Sequence, residues 1–145
     1  MRKLFSFLFI ILSPFVSAEF TKVLEHDEGD VFANPDKSIR ITVRKHTADL
    51  PTPISEKNLK GIAETRFYVL KKLEIGFKDF KIDQVYKTAV SLKDSKSYVW
   101  RGSYKDKKGK ARFVVEFITS KHTYNVFTDK EYDLEKASKV LKEVI

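Results

Sequence analysis

The stretch from Gln84 to Asp129 constrains the chain most, because bulky residues recur there at every second position. Tyr86, Thr88, Val90 and Leu92 alternate with Lys87, Ala89 and Ser91. Tyr98, Trp100 and Tyr104 keep that spacing, and Phe113, Val115 and Phe117 take it up again. A period of two puts each set on one side of a pleated strand. The charged run Lys105-Asp106-Lys107-Lys108-Gly109-Lys110 has the composition of a hairpin turn, and Ser120-Lys121-His122 marks another. The stretch predicts three consecutive strands, antiparallel because short turns join them.

Around this unit the pattern changes. Phe20, Val23 and Leu24 predict a short edge strand, Glu25 to Asp30 an acidic turn, and Val31-Phe32-Ala33 a second short strand. Asn34-Pro35-Asp36 is a turn signal. From Ser38 to Lys45, Ile39, Ile41 and Val43 face one way and Arg40, Thr42 and Arg44 the other. Asp49 to Pro53 holds two prolines and is irregular. Ser55 predicts a helix N-cap, with Glu56 in the first turn. Leu59, Ile62, Ala63, Phe67, Leu70 and Leu73 then form a helical stripe, with Gly76 as its stop. Phe77 and Phe80 lead into the strand unit. Asp133 predicts the cap of a second helix whose stripe is Leu134, Ala137, Val140, Leu141, Val144 and Ile145. The expected class is α+β.

This order of elements resembles the PsbP-like fold. The resemblance rests on Ile39–Lys45, the helix from Glu56, and the meander holding Tyr98-Val99-Trp100-Arg101-Gly102-Ser103-Tyr104 and Lys108-Gly109-Lys110. The paired segments Phe113–Thr119 and Thr123–Thr128 and the terminal helix complete it. That fold is shared by photosystem extrinsic proteins, the Ran-binding Mog-type proteins and small bacterial exported proteins. The resemblance covers roughly residues 31–145. It implies an antiparallel sheet with helices packed on both faces and a non-enzymatic binding or assembly module. It carries architecture and no site residues.

Residues 1–18 read as a signal peptide. Arg2 and Lys3 form the positive region, Leu4 to Phe15 the apolar region, and Val16-Ser17-Ala18 the small-residue cleavage site. Residues 19–145 are expected to form one α+β domain, periplasmic or secreted. Cleavage takes two of the 28 Lys+Arg and none of the 20 Asp+Glu, leaving a net charge of +6. The chain has no cysteine, which excludes thiol catalysis and disulfide exchange and leaves stability to core burial.

Chemistry-bearing clusters are sparse. His26, His46 and His122 are far apart and never at the spacing of a helical zinc site. His26 lies among Glu25, Asp27, Glu28 and Asp30, which lack the pattern of a calcium loop and read as a solvated acidic turn. Gly102-Ser103 sits within a strand, where Gly102 permits close packing beside Trp100 rather than forming an oxyanion hole. Glu116, the sole acid of its strand, reads as a solvent-face residue alternating with Phe117. Trp100, Tyr98, Tyr104 and Tyr124 read as core under a helix rather than a ligand groove. No catalytic, cofactor-binding or metal-ligating residue is assigned.

The remaining candidate is the basic hairpin. Lys105, Lys107, Lys108, Lys110 and Arg112 crowd one turn between Tyr104 and Phe113. Such a tip can meet an anionic envelope component, an envelope protein or, peripherally, a membrane surface. Export argues against nucleic acid. A small hydrolase pairing a carboxylate with His122 or His46 is the alternative from another class. A solute-binding protein with its ligand between sheet and helix is a third.

Overall fold

The computed structural model describes residues 20–26, 29–73, 78–93 and 95–145. The expected signal peptide, Asp27 and Glu28 of the acidic turn, and the helix stop around Gly76 and Phe77 lie outside these residues. Three strands come first: β1 (Thr21–His26), β2 (Gly29–Ala33) and β3 (Ile39–Lys45). Helix α1 (Glu56–Leu73) follows, then β4 (Lys78–Val85), β5 (Val90–Leu92), β6 (Ser95–Lys105), β7 (Ala111–Ile118) and β8 (His122–Thr128). Helix α2 (Leu134–Leu141) closes the chain. The strands lie in the order β1-β2-β3-β8-β7-β6-β4, and β5 pairs with the start of β6. Every pairing is antiparallel.

The architecture corrects the expected one. Among the described residues the protein is an eight-stranded antiparallel sheet carrying two helices, not a sheet with a helical layer over each face. The reason is size. The seven strands of the main path, about 4.8 Å apart, span roughly 29 Å, whereas the eight residues of α2 reach about 12 Å. Only α1, with 18 residues, lies across a sheet face at length. It sets Leu59, Ala63 and Phe67 against Trp100, Tyr104, Val114 and Ile118. On the opposite face Ile41, Val99, Val115, Phe117 and Val126 form the core. There α2 supplies Ala137 and Leu141, but Phe32, Tyr86, Leu92, Tyr132 and the C-terminal Val144 and Ile145 also close the cluster.

Both caps form as their residue types require. Ser55 Oγ accepts from Asn58 N at 3.1 Å, and Asp133 Oδ1 from Lys136 N at 2.8 Å. The edges differ from expectation. Of the expected acidic turn, Glu25 and His26 belong to β1 and Gly29 and Asp30 to β2. Of the expected segment Tyr86 to Leu92, Val90–Leu92 is strand. β8 begins at His122, leaving Ser120 and Lys121 as the turn. β4 is an additional edge strand, mostly exposed and interrupted by register shifts, whose Phe80 and Ile82 reach the core under α1. Such a polar, bulged edge resists pairing with other chains.

Candidate functional site

Two turns and one strand meet beside the hairpin end of the face on which α1 lies. In the first turn, Asn34 organises the backbone: its Oδ1 accepts from Ile39 N at 2.9 Å, and its carbonyl accepts from Lys37 N at 3.0 Å. Lys37 adopts a left-handed backbone with φ 59°. Ser38 donates to Asp36 through its hydroxyl at 2.6 Å and its N–H at 3.0 Å, which hold the Asp36 carboxyl below its ordinary range.

The second turn is the β6–β7 hairpin, ordered by its one acid. Asp106 Oδ1 accepts from Lys108 N at 2.9 Å and Lys110 N at 3.0 Å, and Oδ2 from Arg112 Nε at 3.2 Å. The Lys110 N–H, followed by Lys108 and Arg112, holds the Asp106 carboxyl below its ordinary value. Gly109 takes φ 76°, the left-handed position that completes the turn. Asp106 therefore faces the loop's own donors rather than its lysine ammonium groups.

Pairing brings a third contributor. Arg40 lies opposite Ala33 on one side and Phe127 on the other, and Phe127 lies opposite Val114. The Arg40 guanidinium sits 5.1 Å from the Phe127 ring centroid. Between these parts runs a groove of about 570 Å³. Its cations are Lys37, Arg40, Lys107, Lys108 and Arg112, its acid is Asp106, and Tyr104, Phe127, Ala33 and Val23 form apolar wall. Among the described residues, the Lys37, Lys107 and Lys108 ammonium groups have no ion-pair partner.

The five basic residues expected from sequence thus divide. Lys107, Lys108 and Arg112 line the groove. Lys105 instead pairs with Asp79 at 3.6 Å, and Lys110 approaches Asp129 at 4.0 Å. Lys37, Ser38 and Arg40 were not foreseen as members. The outward alternation of Arg40 is readable, but its place beside the hairpin follows from the β3–β8 and β7–β8 pairings.

Other candidates take different places. Glu116 is corrected from solvent to core: it is 0 % exposed. Trp100 Nε1 donates to Glu116 Oε1 at 3.3 Å, and Asn125 Nδ2 donates to Oε2. Arg66 Nε lies 3.2 Å from Oε2 without an aligned N–H, so that contact is ionic. Trp100 and Tyr104 are buried beneath α1. His46 points Nδ1 at the Ser120 carbonyl, 3.1 Å away, and Nε2 at Thr123 Oγ1, 2.7 Å away. A carbonyl accepts only, so Nδ1 carries hydrogen. His122 stacks on Tyr124. Burial lowers its pKa, with His46, Lys45 and Lys121 acting in the same direction. Neither histidine is hydrogen-bonded to a carboxylate among the described residues. Those residues hold no cluster of three metal-ligating side chains and no helix long and apolar enough to cross a membrane.

No protein-family model and no curated protein matches the chain.

Proposed function

We propose that the protein is an exported, non-enzymatic binding module that holds an anionic component of the cell envelope in the groove between the Asn34–Ser38 turn and the β6–β7 hairpin. The observation that carries this reading is the charge asymmetry of that groove. Five cations line it against one acid, and that acid is engaged by its own loop and by Arg112, which leaves Lys37, Arg40, Lys107 and Lys108 in excess. Cations gathered in a concave wall raise local anion concentration more than the same charges spread over a convex surface. Arg40 adds planar donors suited to carboxylate or phosphate oxygens, whereas Arg112 gives its Nε–H to Asp106. The leader pattern read in residues 1–18 supports a ligand met outside the cytoplasm.

The test compares the wild type with Lys37→Glu/Lys107→Glu/Lys108→Glu and with a control, Lys87→Glu/Lys96→Glu, on exposed positions outside the groove. Each protein is incubated with the soluble acidic and the membrane fractions of a bacterial envelope. Retention lost in the groove variant and kept in the control supports the reading. Equal retention by both variants overturns it.

A further inference from the structure

We propose, resting on the binding reading above, that the ligand is a linear acidic glycan laid along β3 over two grooves, rather than a single anionic group held at the hairpin. A second groove, of about 850 Å³, lies between β3 and α1 on the same sheet face. Arg40 lines the first groove and Arg44 the second. The two are four residues apart on one strand, so they share a face and stand about 13 Å apart. Thr42 lies between them with its hydroxyl bonded to Asn125. The second groove adds Lys57 and Arg66 as cations, with Asn58 and Thr65 as polar wall. Arg66 is partly committed to Glu116. The result is two cationic clusters on one face of β3, further apart than a phosphate or a single carboxylate can span.

Gly61 is an independent sign at the second groove. A glycine inside a helix lowers helix propensity relative to alanine. Packing does not explain it, because a Cβ there meets nothing within 4 Å. The bare backbone instead forms part of the groove wall, where it permits close approach by a chain.

The lining favours a glycan over a nucleic acid. Base stacking needs exposed aromatic faces, but Phe127 is covered by Arg40 and Tyr104 is buried.

The experiment measures binding of oligogalacturonates, from trimer to dodecamer, to the full-length mature chain by titration calorimetry at low salt. Lys107→Glu/Lys108→Glu probes the first groove. Lys57→Glu probes the second and sits in the first helical turn, where an acid is favourable, so the fold is kept. The dodecamer is expected to bind more tightly than the trimer and to lose on the order of tenfold in affinity with either variant. The trimer is expected to respond to the hairpin variant alone. If Lys57→Glu leaves dodecamer binding unchanged while the hairpin variant weakens it, the two-groove inference is overturned and the binding reading stands. If the hairpin variant changes neither oligomer, both fall. Tighter binding to phosphatidylglycerol vesicles or to oligodeoxythymidylate of matched charge overturns the glycan assignment.

Discussion

Glu116 and Asn125 face each other across β7 and β8, and the Asn125 amide donates to the Glu116 carboxylate inside the sheet–helix layer. Trp100 donates to the other oxygen, and Thr42 Oγ1 lies 3.1 Å from Asn125 Oδ1. The polar chain thus ties β3, β8, β7 and β6 together beneath α1, whose Arg66 supplies the opposing charge.

Removing the carboxylate strands its donors. Glu116→Ala leaves the indole N–H and the Asn125 amide buried and unmet, and is expected to cost about 3–5 kcal/mol. Glu116→Gln keeps volume and one acceptor, and should cost about 1–2 kcal/mol. Arg66→Met should fall between these, because Arg66 side-chain exposure of 22 % lets water screen the pair. Urea denaturation of the single variants and of Arg66→Met/Glu116→Gln checks this. Strict additivity in the double variant would show that the two charges are not coupled.

Much of the meander is legible because it rests on local chemistry. The Lys105–Lys110 turn, the period-two spacing and the caps at Ser55 and Asp133 need no distant partner. The burial of Glu116 is harder to read. Its flanking same-face residues, Val114 and Ile118, are both apolar, which is the available sign that this face too is covered. A period of two assigns sides; it does not say that both sides are dry. β4 is obscured by its charges and register shifts, although Phe80 and Ile82 keep the spacing. The groove needs Arg40 beside the hairpin. That depends on joining β3 to β8, a pairing whose Thr42–Asn125 contact spans 83 residues, beyond any local pattern.

Gly102 is set by a backbone. A Cβ there would lie 2.7 Å from the Lys81 carbonyl oxygen of β4, 3.0 Å from Phe80 and 3.2 Å from Trp100. The carbonyl cannot rotate aside as a side chain can. Gly102→Ala should therefore push β4 off β6 and cost about 1–3 kcal/mol. Amide hydrogen exchange should quicken in β4 before it quickens in β7. A variant as stable as the wild type would show that β4 adjusts without loss.

Asp106 makes the hairpin sensitive to acid. Its carboxyl pKa lies below the ordinary 3.8, so the folded hairpin favours the charged form. The contribution is present above 3.8, and it is lost as pH falls through the lowered folded value. Asp106→Asn should loosen the turn at neutral pH, with faster exchange at the Lys108 and Lys110 amides. The wild type and the variant should converge only in strong acid. A constant difference across the carboxylate range would mean that the charge of Asp106 is irrelevant to the turn.

His122 should act at milder pH, with the slope also favouring the alkaline side. Its folded pKa is below the ordinary 6.5, chiefly through burial and then through His46, Lys45 and Lys121. The unfolded chain therefore takes up the proton more readily. Stability is expected to fall as pH drops from above 6.5 through the lowered value, and the imidazole contributes no slope where both states are neutral. His122→Phe keeps an aromatic ring against Tyr124 and removes the titration. Between about pH 7.5 and pH 5, the wild type should lose more stability in urea than this variant. Proton NMR of the His122 ring should show a midpoint under 6.5; a midpoint at or above that value would contradict the burial assigned to this ring.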